Sequence, residues 1–342
     1  PSCYRFSRQV RRELRSRELR RELRRAARAQ LKRAMSTAAA REHEKLILRE
    51  RLAALQAEMM LYFEGKGKNR KILAPTSKGP FVIKQKTVGE ISNPNLAGKT
   101  YKGTVSGMPN NMTGPELIKF WIGKAASANK GVDMANGYNY PQLISKFILG
   151  AVFYHQAVDN YLDEKMTAGN KPNNKPYKKG KHYTGKEHSW DEAFGYFGFP
   201  AHGLMLAPSQ LYDIAKRKPT AVSIADANSD GKIDLYNEMV FGPAYYAAGS
   251  DKSKKTAYAK TIGKAFLDGR KLIASADGNA LNSSQLGQIA QYARVIEENW
   301  EKRKRSKNSE IVSLLLRREF EKFGCLMSCD VRRLIRLLRL VL

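Results

Sequence analysis

The chain has 342 residues and a formal net charge of +29, with 42% hydrophobic and 27% charged residues. These values indicate a soluble globular body with a sizeable core. No apolar run reaches the roughly 18 to 20 residues that a membrane-spanning helix needs, which argues against a transmembrane segment. The excess positive charge suggests a polyanionic partner such as nucleic acid, an acidic membrane surface or an acidic polymer.

The positive charge is concentrated at the two ends of the chain. Residues 1–60 carry a net charge of +10 and residues 301–342 a net charge of +7, whereas the 240 residues between them carry +12. The ends contain 23 Arg and 6 Lys, and residues 61–300 contain 4 Arg and 28 Lys. We therefore predict an Arg-rich helical N-terminal extension (1–60), a helical body (61–300) and a basic C-terminal extension (301–342).

The Arg-rich ends have two interpretations. Arg makes planar, bidentate contacts with phosphate and carboxylate, so the ends are candidates for binding nucleic acid or an anionic surface in an assembly role. Alternatively, the ends have a different genetic origin from the body, as fused flanks would. All three cysteines lie in the ends, and a cysteine-free body suits an extracytoplasmic setting without excluding an organelle or the cytoplasm. Because the chain begins at Pro1, a targeting signal can be missing.

The first half of the body alternates irregular and helical segments. Apolar residues at near-helical spacing predict a helix over residues 40–63. Residues 65–113 are rich in Gly and Pro and should form an irregular connection. Thr113 and Glu116 have the spacing of a capping box and predict a helix start. A further helix is predicted for residues 140–166; its apolar residues nearly encircle it, which indicates a central, buried position.

The second half is predicted to consist of short helices and loops. A Lys-, Asn- and Pro-rich loop precedes a helix that should end at Gly198, and Ser209 is the predicted cap of the next helix. Helical periodicity then begins at Asp234 and continues, with short breaks, to the end of the body. No series of strands is evident. The predicted fold class is all-α, an irregular helical bundle of about seven to nine helices.

One loop has the spacing of an EF-hand-like or dockerin-like calcium site. Counting Asp226 as position 1, Gly231 falls at position 6, where calcium loops turn sharply, and Ile233 at position 8. The candidate ligands at positions 1, 3, 5, 7 and 9 are Asp226, Asn228, Asp230, Lys232 and Asp234. Position 12 is Asn237 rather than Glu, so either Asn237 or Glu238 closes the loop. The alternative is an Asx-rich turn that caps the next helix without metal.

A second group of candidate residues surrounds His188. His188 and Glu192 share one helical face, and Glu187 and Asp191 share another. A His and a carboxylate at this spacing can hold a transition metal or act in acid–base catalysis. The alternative is helix capping and an ordinary packed histidine. The full candidate cleft comprises His155, His182, Glu187, His188, Trp190, Asp191 and Glu192.

Three motifs resemble a bacterial family, the domain of unknown function four-eight-five-six. They are LISKFILGAVFYHQAVDNYL, KHYTGKEHSWDEAFGYFGFP and DANSDGKIDLYNE, in that order. The resemblance extends over about residues 63–300. It implies a helical, exported or lipid-anchored domain related to imelysin-like proteins. Those proteins carry a Gly-x-His-x-x-Glu motif linked to peptidase or iron-uptake roles, whereas Glu192 here follows His188 by four residues.

Three functional hypotheses follow from the sequence. The first is an exported or surface-associated helical binding domain with a structural calcium site, an unknown ligand or protein partner and no established reaction. The second is a metal-dependent hydrolase of imelysin-like type that uses His188 and Glu192. The third is a polyanion-binding assembly protein that acts through its Arg-rich ends.

Overall fold

The computed structural model describes residues 38–70, 79–91, 95–128, 131–167 and 171–322, together with helical positions 21, 22, 24, 25 and 28. Most of the Arg-rich N-terminal repeat and the cysteine-containing C-terminal tail lie outside these residues. The chain divides into two compact units, Pro1–Glu58 and Met59–Leu342.

The described part of the chain is mostly helical, which confirms the predicted all-α class at that level. The longer helices are α1 (Ala38–Glu64), α2 (Gly114–Ser127), α3 (Tyr140–Ile148), the π-helix π1 (Leu149–Glu164), α4 (Gly185–Phe197), α5 (Pro208–Ala215), α6 (Gly242–Lys254), α7 (Tyr258–Ser275) and α8 (Ser283–Lys322). Short helical segments occupy Leu96–Lys99, Lys165–Thr167 and Val222–Ala225. Within the described ranges, none of the helices has the length and hydropathy needed to span a bilayer.

A small antiparallel sheet is the one sheet in the described part of the chain. Its strands are β1 (Val132–Asp133) and β2 (Tyr138–Asn139), with Val132 opposite Asn139. The described parts of the Gly/Pro-rich segment are irregular, as predicted, apart from single-turn helices and isolated bridges. One bridge pairs Ile83 with Ile233 in parallel, and this bridge joins the irregular segment to the calcium-like loop.

Most of the predicted helix ends agree with the structure. Glu116 accepts hydrogen bonds from the backbone N–H and the hydroxyl of Thr113, both at 2.8 Å, and α2 follows. Gly198 adopts a left-handed conformation (φ 78°) that ends α4. The predicted Ser209 cap is wrong. Helix α5 begins at Pro208, and the Gln210 side chain accepts the Ala207 N–H at 2.7 Å in place of a hydroxyl cap.

The predicted helix over residues 140–166 is helical throughout but changes type. It is an α-helix to Ile148 and a π-helix from Leu149 to Glu164. π-Helices bond i to i+5, so buried positions recur at longer intervals than in an α-helix. Val152, Ala157, Leu162 and Met166 are buried at spacings of five and four. Apolar residues that would nearly encircle an α-helix therefore lie along one broad stripe of π1. Other positions of π1 remain half-buried.

Helical structure does not begin directly after the calcium-like loop, which corrects a second expectation. Residues 234–241 form turns, and α6 begins only at Gly242. The turns hold Leu235, Met239 and Val240 in the core, so the apolar periodicity reflects burial rather than a helix. The Asx-rich loop consequently caps no helix directly after it.

The main core lies where α4, π1, α7 and α8 meet. Trp190, Phe197, Ile273, Ile296 and Trp300 are essentially inaccessible to solvent there. A smaller cluster of Phe63, Ile118 and Ile122 joins the last turn of α1 to α2.

The close approach of α4 and α7 depends on a glycine. A Cβ on Gly269 would overlap the Trp190 ring, so only glycine lets the two helices pack at this distance. The indole N–H of Trp190 donates to the Phe266 carbonyl at 2.7 Å, which satisfies the one polar atom of the buried ring.

Candidate functional site

Helix α4 carries most of the predicted cleft residues. Its first turn is fixed by a capping box, in which Glu187 accepts the Thr184 N–H at 2.7 Å and the Thr184 hydroxyl accepts the Glu187 N–H at 3.2 Å. The Thr184 hydroxyl also donates to the Asn173 side-chain oxygen at 2.7 Å, and the Asn173 amide donates to the Ile273 and Asn279 carbonyls. This network ties the start of α4 to the end of α7.

The predicted pair of Glu187 and Asp191 holds an arginine from α7. Arg270 donates through Nη1 to Glu187 at 2.6 Å and through Nε to Asp191 at 2.9 Å. Glu187 is largely buried, Arg270 is 31% exposed and Asp191 is 53% exposed. Two carboxylates therefore share one guanidinium, and this group of three carries a net charge of −1 when all three are ionised.

An apolar groove begins beside Arg270. It has a volume of about 230 Å³ and lies between α4, α7 and the turn after Gly198. Trp190, Phe194, Phe199, Leu204, Phe266 and Leu267 provide its apolar walls, and Asp191 and Arg270 form its polar end. Leu267 is 41% exposed at the rim. The arrangement combines an apolar surface with two charged groups at one end, which is the usual composition of a binding site.

The ionised form of Asp191 is disfavoured despite its arginine partner. The surrounding protein raises the pKa of Asp191, Arg270 opposes the increase, and Glu187 and Glu192 add to it. An additional cation beside Asp191 would therefore favour its ionised form.

The other face of α4 has different chemistry. The His188 ring stacks on Tyr177, with centroids 3.7 Å apart and an interplanar angle of 23°. His188 Nε2 lies 3.7 Å from Glu192 Oε1, a distance that indicates electrostatic proximity and not a hydrogen bond. Burial lowers the pKa of His188, Glu192 opposes this effect, and Lys171, Lys165 and Lys178 lower the pKa further.

The remaining predicted histidines have separate surroundings. His155 on π1 pairs with Asp159 at 2.8 Å and packs edge-on against Tyr101. His182 lies exposed in the loop before α4. The structure thus places Trp190 and Asp191 on the groove and Glu187 behind Arg270. His188 and Glu192 lie on the adjacent face of α4. His155 belongs to a different helix, π1.

The calcium-like loop is held by side-chain to backbone hydrogen bonds that follow the predicted spacing. Asp226 accepts the N–H groups of Asp230 at 3.1 Å and Gly231 at 2.9 Å. Asn228 accepts the Asp230 N–H at 3.0 Å, and Asp230 accepts the Lys232 N–H at 2.8 Å.

The end of the loop brings Glu238 inward and leaves Asn237 outside. Glu238 is 3% exposed, and its carboxylate accepts the N–H groups of Ala227, Asn228 and Asp234. Asn237 is exposed, and its carbonyl accepts the Ala201 N–H at 2.8 Å.

Asp234 is tied to the irregular segment by Gln85 at 2.9 Å and by Lys84 at 3.3 Å. Burial opposes its ionisation, but hydrogen bonds from Tyr236, Gln85 and Lys84 outweigh that effect and lower the pKa of Asp234. Among the described residues, no group of three or more His, Cys, Asp or Glu side chains is placed to hold a metal ion.

Sequence reasoning missed the partners that define both faces of α4. Arg270 is 79 residues beyond Asp191, and nothing in its local sequence sets it apart. A weak signal was present, because Arg270 is one of only 4 Arg in the Lys-rich body. Of the lysines near His188, the sequence predictions place Lys171 and Lys178 in a loop and Lys165 in a helix, and none of them in a site.

The family model for a Domain of unknown function (DUF4856) matches residues 122–208. The match covers the first two of the three motifs that carry the resemblance, whereas the calcium-like loop lies beyond it. No curated protein and no solved structure matches the chain. The resemblance to this family is therefore confirmed over residues 122–208, a segment that contains α4 and the side chains of both of its faces.

Proposed function

We propose that the protein is a binding domain whose ligand places one apolar group in the groove between α4 and α7 and one cationic group beside Asp191. The observation that carries this proposal is the apolar groove ending at a half-exposed carboxylate in a cluster of net charge −1. Arg270 offsets only one of the two carboxylate charges of Glu187 and Asp191. A cationic group of the ligand beside Asp191 compensates the remaining negative charge.

The size of the groove limits the class of ligand. Its volume of about 230 Å³ lies below the roughly 300–1,000 Å³ of pockets that enclose drug-sized molecules. One large side chain or ring fills it. The proposed ligand is therefore a peptide segment in which a large apolar residue precedes a lysine or arginine.

A pair of short peptides tests this proposal. The full chain is titrated with acetyl-Phe-Lys-amide and with acetyl-Phe-Glu-amide, and NMR chemical shifts report binding. The Lys peptide is expected to bind more tightly and to shift resonances of α4 and α7. Equal affinity for the two peptides, or shifts confined to other helices, would contradict the proposal.

Leu267 offers a variant with a matched control. Leu267→Ser removes an apolar wall and is expected to weaken the Lys peptide about fivefold, as the loss of roughly 1 kcal/mol of apolar contact implies. Leu286 is 39% exposed on α8 and does not line the groove, so Leu286→Ser should leave the affinity unchanged.

The second part of the proposal is a structural calcium ion in the loop from Asp226 to Glu238. The hard oxygen donors at alternating positions, the turn at Gly231 and the hydrogen-bond pattern from Asp226 to Lys232 support it. The inward carboxylate makes Glu238, rather than Asn237, the proposed closing ligand. The bridge between Ile83 and Ile233 gives the loop a scaffold role, because it joins residues 150 apart.

A calcium-dependent melt tests the site. Calcium at a hundredfold its dissociation constant adds about 2.7 kcal/mol to the free energy of unfolding, so the melting temperature should exceed that measured with chelator. Asp230→Asn should reduce the difference, and the exposed control Asp277→Asn should preserve it. Identical melting temperatures with calcium and with chelator would show that the loop is only a turn.

The extracytoplasmic location belongs to the same proposal. It is supported by the export that the family resemblance implies and by the absence of cysteine from residues 61–300. The hydrolase hypothesis built on His188 and Glu192 and a transition metal stays a prediction, as does polyanion binding by the Arg-rich ends, most of which lie outside the described residues.

A further inference from the structure

Four lysines lie against two tyrosines, Tyr161 of π1 and Tyr177 beside His188, and they define what we call the lysine cluster: Lys99, Lys165, Lys171 and Lys178. Two of them meet at Tyr161, a buried residue of π1. Lys165 Nζ lies 3.8 Å from the centroid of the Tyr161 ring. Lys99 Nζ reaches the same residue from the short helix Leu96–Lys99 and lies 3.5 Å from the Tyr161 hydroxyl.

The other two lysines meet at Tyr177, the residue that stacks on His188. Lys171 Nζ lies 5.4 Å and Lys178 Nζ 5.1 Å from the Tyr177 ring centroid. Cation–π contacts of this kind leave the ammonium hydrogens available to an oxygen ligand while the ring stabilises the positive charge.

The lysines at Tyr161 and the lysines at Tyr177 affect the pKa values of the same groups, Lys165 and His188. Burial lowers the pKa of Lys165, and Lys99 and Lys171 lower it further, which shows that their charges repel one another. Lys165, Lys171 and Lys178 all lower the pKa of His188.

The cluster lacks the close ion pairs that some lysines form elsewhere in the described part of the chain. Lys218 pairs with Asp213 at 2.9 Å and Lys264 pairs with Asp268 at 2.7 Å. By contrast, within the described ranges none of the four clustered lysines has a carboxylate oxygen within 4.0 Å. Glu192 opposes the lowered pKa of both Lys165 and His188, and Glu164 also opposes that of Lys165, so two carboxylates face the four lysines.

We propose that the lysine cluster binds a phosphate or sulfate ester group, with the ammonium groups of Lys99, Lys165 and Lys171 as its donors. A tetrahedral oxyanion offers three oxygens in different directions, so donors from three separate segments can each bond one of them. A phosphate monoester supplies up to two negative charges, and a sulfate ester supplies one. This site lies on a different face of α4 from the groove and does not depend on the proposed peptide ligand.

The test is a titration of the full chain with small anions at constant ionic strength, in which calorimetry measures binding. The probes are inorganic phosphate, inorganic sulfate, glucose 6-phosphate and glucose 6-sulfate, with chloride as the background ion. Saturable binding of these anions supports the site. Preference for the two phosphates or for the two sulfates identifies the ester class, and tighter binding of the sugar esters than of the free ions identifies an ester ligand. Failure of all four probes to bind would overturn the proposal.

Variants distinguish the cluster from the general positive charge of the chain. Lys165→Gln should weaken binding about tenfold or more, as loss of a hydrogen bond to a charged group implies. Lys264→Gln removes the same charge from the surface of α7 and should leave the affinity unchanged. Equal weakening by the two variants would show non-specific attraction and refute the site.

Glu192→Gln provides a test that unfolding cannot mimic. It removes the carboxylate that repels the anion and should tighten binding several-fold, because like charges disfavour the bound anion. If Glu192→Gln weakens binding while circular dichroism shows a folded protein, the cluster does not hold the anion as proposed.

Discussion

The two faces of α4 differ in how their charges are compensated. On one face, Glu187 and Asp191 share the guanidinium of Arg270 beside an apolar groove. On the next face, His188 and Glu192 lie near lysines that have no carboxylate oxygen within 4.0 Å among the described residues. His188 and Glu192 each follow a residue of the first face by one position in the sequence. They lie on a different face because successive side chains of a helix with 3.6 residues per turn point in different directions. A single helix therefore presents, side by side, a groove that ends at two carboxylates and a surface surrounded by lysines.

The largest expected effect comes from breaking the contact that holds the groove face together. Gly269→Ala places a methyl group against the Trp190 ring and should destabilise the protein by about 1–3 kcal/mol, measured by urea denaturation. Gly195 on α4 has no neighbour within 4 Å of an added Cβ. Gly195→Ala is therefore expected to stabilise by about 0.5–1 kcal/mol, and equal destabilisation by both variants would contradict the packing described.

A smaller effect is expected from removing the shared guanidinium. Arg270→Gln leaves two carboxylates adjacent and should cost about 1–2 kcal/mol, less than the roughly 3–5 kcal/mol of a fully buried pair because Arg270 is 31% exposed. Urea denaturation measures this loss, and Lys264→Gln at a surface pair should show no measurable change. A second substitution, Glu187→Gln in the Arg270→Gln background, should recover part of the stability. Additive losses would show that the two residues are not coupled.

The smallest expected effect is a pH dependence of opposite sign on the two faces. Asp191 has a raised pKa, so the folded state binds more protons above 3.8, and the free energy of unfolding falls as pH rises through the window from 3.8 to the raised value. His188 has a lowered pKa, so the unfolded state binds more protons below 6.5, and stability falls as pH drops from 6.5 through the lowered value.

Chemical denaturation between pH 3.5 and 7.5 separates the two contributions, with each variant measured against the wild type. Asp191→Asn should remove the loss of stability on raising the pH, and His188→Gln should remove the loss on lowering it. His182→Gln, which changes an exposed histidine in the preceding loop, is expected to keep the wild-type profile. Identical pH profiles for the wild type and His188→Gln would contradict the burial of His188.

Whether a prediction from the sequence was correct depended on how far apart in the sequence the interacting residues lie. The Thr113–Glu116 capping box and the helix end at Gly198 were predicted correctly, because each involves residues within one turn. Periodicity correctly predicted a helix over residues 140–166 but did not show that Leu149–Glu164 is π-helical. It misled over residues 234–241, where Leu235, Glu238 and Met239 are buried at helical spacing although the backbone is not helical.

The sequence by itself determined the helical class, the family resemblance over residues 122–208, the two faces of α4 and the side-chain pattern of the calcium-like loop, because these depend on local spacing. Only the tertiary structure decided that Arg270 joins Glu187 and Asp191, that Lys99 and Lys165 meet at Tyr161, and that Glu238 turns into its loop while Asn237 turns out. These contacts join segments far apart in the sequence, or depend on where neighbouring segments pack. Their positions are set by packing of the whole core around Trp190 and Trp300, which no local pattern encodes.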